Sequence, residues 1–157
     1  MNVKRCAVLG LIVLCLLVGA EGSPPAEVDA LASPGAEGAY WDAWSITAKV
    51  TWTDLNGQKY KETQYNTLLT HSSSIPAQLL LLDQYQNLGW CGEAIMSDQF
   101  ACFRGSSEDG TFTTVGFAKI DGRKNTITGK QTGWHSSGLY MECTFKGYLS
   151  HQVWLPW

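Results

Sequence analysis

The chain has 157 residues, of which 11% are aromatic, and its formal net charge at pH 7 is −3. This length suits one domain with a single apolar core. Acidic residues outnumber the scattered basic ones, so we expect no nucleic-acid surface, which would need a basic excess.

The first twenty residues, 1–20, begin with the basic pair Lys4 and Arg5, continue with an apolar run over 7–18 and end in small residues. This order is typical of a secretory signal peptide. The apolar run is shorter than the ~20 residues that a membrane-spanning helix needs. We therefore expect cleavage after Ala20, a secreted or periplasmic location, and no membrane association after the signal is removed.

The next segment, 21–39, is rich in Pro, Ala and Gly, carries four acidic residues and has no aromatic or basic one. Such a composition buries too little apolar surface to offset the entropy of ordering. We predict a disordered acidic leader over 21–39 and a single β domain over 40–157. Without the residues of 1–39, the charge of the domain is close to zero.

Strict alternation makes the stretch from Trp44 to Thr53 the clearest strand of the chain, with apolar residues on one face and polar residues on the other. Asn56-Gly57 follows, and this pair favours a tight reversal because both residues tolerate positive φ. We expect the chain to turn back as an antiparallel strand.

The middle of the chain is ambiguous, because four consecutive leucines over 79–82 show no periodicity. A helix over about 75–87, capped by Ser74, and a strand over 78–85 both fit. Leu, Gln and Ala favour helix, so we predict a short helix there.

Five further strand patterns end at turn residues; they cover 90–96, 99–104, 111–120, 126–132 and 139–149. Glycines inside them, Gly116, Gly129 and Gly147, allow bulges or sharp coiling of the sheet. The pattern predicts an all-β fold: an antiparallel meander of seven or eight strands that forms a closed or nearly closed barrel, with a sandwich as the alternative.

The domain opens with Gly38-Ala39-Tyr40-Trp41, followed by one long alternating strand and a β meander. This opening resembles the start of lipocalin and avidin-type barrels over about a dozen residues. Tyr40 stands where that pattern has Trp, so no binding residue is carried over from the resemblance. A lipocalin-like barrel that binds a ligand is what it implies.

Three cysteines remain once the signal peptide is removed, namely Cys91, Cys102 and Cys143. Cys91 and Cys102 flank a predicted reversal and are our first choice for a disulfide, with one thiol left over. The alternative is that all three are reduced and buried, since free Cys packs as a small hydrophobe.

Catalytic patterns are missing from the sequence: it has no G-x-S-x-G elbow, no His-x-His and no C-x-x-C. His71 and His135 lie in predicted loops beside serines, where solvated turn residues are the ordinary interpretation. Glu93 alternates with Cys91 and Ile95; it either points inward or pairs with a cross-strand cation, and we favour the second. We expect no enzyme, no metal and no cofactor.

Aromatic residues are the one positive excess, with seven Trp, six Tyr and five Phe. Rings on the inner face of an eight-stranded barrel either fill the core or line a site for one small ligand. The main hypothesis is a binding protein for a small apolar or amphipathic ligand. The residues expected to line the site are Trp44, Trp52, Trp90, Met141 and Phe145.

Two other functions stay open. Exposed rings on a polar face would stack on sugars, and the candidates for a carbohydrate-binding module are Tyr60, Tyr65, Trp134 and Tyr140. A structural or protein-interaction domain with no small ligand would instead use an exposed carboxyl-terminal segment, 153–157. The sequence leaves the oligomeric state undecided.

Overall fold

The computed structural model describes residues 38–156, which form eight antiparallel β-strands. Their bounds are β1 Gly38–Thr53, β2 Lys59–His71, β3 Ala77–Leu82, β4 Leu88–Met96, β5 Phe100–Ser106, β6 Phe112–Asp121, β7 Thr126–His135 and β8 Tyr140–Pro156. Each strand pairs with the next, and β8 pairs with β1, so the ring of hydrogen bonds closes. The predicted all-β antiparallel barrel is confirmed. Between Gly38 and Pro156 there is no helix long and apolar enough to cross a membrane.

Two strands, β1 and β8, are longer than the rest, with 16 and 17 residues. β1 begins at Gly38, so the last two residues of the predicted leader 21–39 belong to the sheet. The remainder of that leader and the predicted signal peptide lie outside the described residues. The strand from Trp44 and the reversal at Gly57 are confirmed, with the Gly57 N–H donating to the Asp54 carbonyl at 3.0 Å and φ of Gly57 at 79°.

The predicted helix over 75–87 is wrong, because residues 77–82 form β3, which pairs with both β2 and β4. Leu79 and Leu81 face the interior, while Leu80 and Leu82 are buried on the outer face, at 4% and 2% exposure. A strand that is apolar on both faces shows no alternation, and it resembles a buried helix in sequence. Pairing with two neighbours outweighs the helix propensity of leucine.

The inner faces of the strands form the main core of the barrel. In this core, glycines receive aromatic rings from neighbouring strands; a Cβ on each of these glycines would stand within 2.5 Å of a ring atom. The pairs are Phe103 on Gly116, Phe145 on Gly129 and Phe112 on Gly133. Glycines thus make room for rings inside a narrow barrel. The strand bulges lie elsewhere, at Ala43/Trp44 and Leu81/Leu82.

A second buried apolar cluster lies on the outer face of β8, β1, β2, β3 and β4. Its centre is the row of cross-strand partners Leu69, Leu80 and Cys91. Leu155 of β8 belongs to the same cluster at 1% exposure, and it pairs with Ala39. The prediction of an exposed carboxyl-terminal segment is therefore wrong for 153–156, which are paired within the sheet.

The predicted Cys91–Cys102 disulfide is wrong, because Cys102 is a free thiol. Cys91 stands opposite Ser106, and Cys102 stands opposite Ile95. Four residues of strand separate the two positions, about 13 Å, whereas a disulfide joins Cα atoms less than about 7 Å apart.

The two free thiols among residues 38–156 are expected to differ in reactivity. Cys102 is exposed, whereas Cys143 faces the barrel interior at 6% exposure, and burial raises the pKa of its thiol to about 11. Because the thiolate is the reacting form, iodoacetamide at neutral pH should alkylate Cys102 in the native protein and leave Cys143 unmodified. Peptide mass spectrometry after a timed pulse measures both; equal labelling of the two would contradict the buried position of Cys143.

Candidate functional site

One end of the barrel, here called the mouth, carries the turns over 54–58, 83–87, 107–111 and 136–139. A cleft of about 460 Å³ opens there. Its inner walls come from aromatic and apolar side chains on one side and from polar side chains of β2 on the other. The lining includes Trp52, Glu62, Gln64, Asn66, Leu81, Asp83, Tyr85, Trp90, Phe112, Gln131, His135 and Met141.

Beneath the mouth cleft, the interior is almost filled. An inner cavity of about 50 Å³ remains, and it shares Gln64, Leu81, Trp90 and Met141 with the cleft above it. Pockets that hold drug-sized ligands measure ~300–1,000 Å³. The cleft reaches this range and the inner cavity does not, so within the barrel a guest of that size fits only at the mouth.

The polar wall is a row of hydrogen-bonded side chains on the inner face of β2. Glu62 Oε1 accepts from Gln64 Nε2 at 2.6 Å, and Gln64 Oε1 accepts from Asn66 Nδ2 at 3.5 Å. The Trp52 indole of β1 also donates to Glu62 Oε1, at 2.8 Å. This row is fixed in orientation before a ligand arrives and offers both donors and acceptors.

The aromatic wall contains Trp52, Phe112 and Trp90. The Trp52 and Phe112 rings meet edge to face, with centroids 6.1 Å apart, and Trp90 stacks on Phe103 at 5.9 Å. Trp90 is 4% exposed, and its Nε1 is buried with no hydrogen-bond partner among the described residues. A buried N–H without a partner carries a desolvation cost that a ligand acceptor would relieve.

The turns around the mouth are held by aspartates that accept backbone N–H bonds. Asp54 Oδ1 accepts from residues 56 and 58, and Asp83 Oδ1 accepts from residues 85 and 87. Asp109 accepts from the Ser107 hydroxyl and from the Thr111 amide and hydroxyl; these bonds lower the pKa of Asp109 to about 2. Side chains that fix their own turns in this way give a rim that is formed in advance.

The five residues predicted to hold a ligand all lie on the inner face, but at different depths. Trp52, Trp90 and Met141 line the mouth cleft. Phe145 lies deeper and lines the inner cavity. Trp44 is a packed core residue near the opposite end, where its Nε1 donates to Thr70 Oγ1 at 3.1 Å. The structure thus brings three of the five together at one site.

The four carbohydrate candidates do not share one surface. Trp134 and Tyr140 are cross-strand partners on the outer wall, with ring centroids 5.7 Å apart and Trp134 49% exposed. Tyr65 pairs with Thr47 on the outer face of β2 and also lines the mouth cleft. Thr47 lies six residues along β1 from Thr53, the partner of Tyr140, so Tyr65 is far from the Trp134–Tyr140 pair. Tyr60 is at the rim, where its hydroxyl donates to Gln58. The outer wall therefore presents one pair of rings, Trp134 and Tyr140, and not four rings on a common surface.

Of the residues considered for catalysis, Glu93 and His71 lie outside the mouth cleft, whereas His135 lines it. Glu93 forms an ion pair with its cross-strand partner Arg104, whose Nε donates to it at 2.7 Å, as the favoured interpretation predicted. His71 ends β2, buried against Trp41 with ring centroids 5.2 Å apart, and is not a solvated loop residue. His135 contacts Ser137 in the last mouth turn. No group of three or more potential metal ligands occurs among residues 38–156.

The polar half of the site was not predicted. Glu62, Gln64 and Asn66 belong to a stretch, 59–66, that is polar on both faces, so alternation does not tell which residues point inward. Glu62 is the cross-strand partner of Val50, a core residue on the inner face, and this pairing shows that Glu62 also points inward. Phe112 and Gln131 were also missed. Each is an even number of residues away from inner-face residues of its own strand, and this spacing could have placed both on the inner face.

Comparison of the chain with protein-family models, with curated proteins and with solved structures finds no match. What the mouth cleft can bind is therefore inferred from its own residues.

Proposed function

We propose that this chain is an exported, non-enzymatic binding protein whose mouth cleft holds a small amphipathic molecule. The observation that carries the proposal is a preformed cleft of about 460 Å³ with an aromatic wall facing a hydrogen-bonded polar wall. Ligand sites typically combine such an apolar lining with a small number of placed polar groups. Export is the part of the proposal that rests on the sequence of 1–20.

The wall composition supports a defined orientation of the guest. Trp90, Leu81 and Met141 are the apolar residues that line both the cleft and the inner cavity, where they stand opposite the uncharged Gln64, Asn66 and Gln131. Glu62 stands nearer the solvent, exposed at the polar wall. An amphipathic guest would place its apolar body on these apolar residues and its polar group beside Glu62, which satisfies both parts without burying an unpaired charge.

Binding of an uncharged aromatic probe tests the proposal. Titration with N-phenylnaphthylamine, followed by its own fluorescence, is expected to show saturable binding. Trp52→Ala should weaken that binding about tenfold, because ring contacts contribute up to ~1.5 kcal/mol beyond their buried area. Trp134→Ala, which removes an exposed outer-wall indole, is the matched control and should leave binding unchanged. Non-saturable binding, or equal losses in the two variants, would reject the mouth cleft as the site.

Carbohydrate binding is the second candidate, favoured by the exposed Trp134–Tyr140 ring pair. Aromatic faces exposed to solvent are an ordinary means of stacking on sugar rings. Retention on an insoluble polysaccharide that is lost in Trp134→Ala and kept in Trp52→Ala would support this function in place of the first. A structural or interaction domain with no small ligand predicts neither dye binding nor retention.

A further inference from the structure

The mouth cleft contains one carboxylate that its surroundings leave available for a ligand. Both recorded hydrogen bonds to Glu62, from Trp52 Nε1 and Gln64 Nε2, end on Oε1. Among the described residues, no hydrogen bond or ion pair to Oε2 is recorded. One oxygen of this lining carboxylate therefore remains available to accept a hydrogen bond from a ligand.

No described cation compensates this carboxylate inside the cleft. Lys59 and Lys61 flank it in sequence, but they pair with Thr53 and Thr51 and so lie on the outer face of β2. Lysine and arginine are absent from the described lining. The other lining carboxylate, Asp83, is held by its own turn, with Oδ2 accepting from Asn87. The described lining thus carries two carboxylates and no lysine or arginine, and of the two only Glu62 lies outside a turn.

A carboxylate beside aromatic rings can bind a cationic group and an apolar body together. Trp52 touches the carboxylate through its indole N–H, and Phe112 packs edge to face on Trp52. The carboxylate accepts charge-assisted hydrogen bonds from an ammonium group, and the rings supply apolar contact for the rest of the ligand. An anionic ligand would meet like charge at the same point.

The space below the carboxylate limits the rest of the ligand. The cleft of about 460 Å³ ends on an inner cavity of about 50 Å³, closed by packed side chains of the core. A long acyl chain would have to displace that core, whereas a compact aromatic or branched body fits above it. Trp90 lines both the cleft and the inner cavity and so separates the two spaces.

From these observations we infer that the natural ligand is a compact organic amine: a cationic nitrogen held by Glu62 and an apolar body held by Trp52, Phe112 and Trp90. The inference rests on the proposed function and names its ligand class. Neutral compounds of the same shape bind more weakly, and carboxylates bind most weakly.

Three probes with one ring system and different charge test the inference: naphthylethylamine, naphthylethanol and naphthylacetate. Calorimetric titration at low ionic strength should rank them in that order, with the amine about tenfold tighter than the alcohol, the size expected of a charge-assisted hydrogen bond. Added salt should reduce the preference, because the carboxylate is exposed.

Glu62→Gln keeps the shape of the side chain and removes its charge. In this variant the amine and the alcohol should bind equally, because the charge that favours the ammonium group has been removed. Glu142→Gln, which changes an exposed outer-face glutamate paired with Thr51, is the control and should keep the wild-type ranking.

The outcomes separate the two proposals. No binding of any probe overturns the proposed function together with the inference. Equal binding of the three probes, or an amine preference that survives in Glu62→Gln, overturns the inference and leaves the binding function standing. Preference for naphthylacetate overturns the inference as well.

Discussion

Trp44→Ala is expected to lower the free energy of unfolding by about 3–5 kcal/mol, the range for removal of a buried Trp ring. Trp44 is 6% exposed, belongs to the main core and donates to the buried Thr70 hydroxyl at 3.1 Å. Its truncation leaves a cavity and also leaves Thr70 without this partner. Urea unfolding followed by circular dichroism measures the loss.

The matched control for Trp44→Ala is Trp134→Ala, which truncates an indole that is 49% exposed on the outer wall. We expect a loss below about 1 kcal/mol there, as for most surface substitutions. Since Trp44 lies outside the mouth cleft, the folded fraction of Trp44→Ala should still bind the probes. Similar stability losses in the two variants would contradict the inward position of Trp44.

Gly129→Val is expected to destabilise the barrel by about 3 kcal/mol or to prevent folding, as overpacking of a tight core does. A Cβ at this position would stand 2.4 Å from the Phe117 carbonyl oxygen and 2.4 Å from Phe145 Cζ. The ring of Phe145 would have to leave its place on the inner face, and the backbone of β6 would have to shift.

Gly122→Val is the control for Gly129→Val, because Gly122 lies in the turn between β6 and β7 and a Cβ there meets nothing within 4 Å. Its unfolding midpoint should stay close to that of the wild type. Circular dichroism and thermal unfolding compare the two variants. A fully stable Gly129→Val protein would show that the ring of Phe145 does not occupy the space above Gly129.

The sequence predicts the barrel well where one face of a strand is polar. Trp44 to Thr53 alternates strictly, and its Asn-Gly turn sets the first antiparallel pair. Alternation fails at Leu79–Leu82, where an outer apolar cluster buries the second face of β3. Whether a leucine run is a helix or a doubly buried strand depends on what packs against it, which local sequence does not encode.

For the candidate site, the sequence predicts the aromatic side and misses the polar side. Trp52, Trp90 and Met141 follow from apolar alternation, and all three line the cleft. Glu62 and Gln64 follow from strand register alone, since both faces of the amino-terminal part of β2 are polar. Register is set by pairing with neighbouring strands, which the local sequence does not give. For the same reason the sequence could not show that Cys91 and Cys102 stand four residues apart in register.

We propose that a small molecule is bound at the mouth, against Trp52 and Trp90. The most direct test is a titration with naphthylethylamine followed by the indole N–H resonances of the seven tryptophans in a proton–nitrogen correlation spectrum. We expect saturable shifts of the Trp52 and Trp90 signals with one dissociation constant, while the Trp44 and Trp134 signals stay in place. Unchanged Trp52 and Trp90 signals at saturating probe, or shifts confined to Trp134, would contradict it.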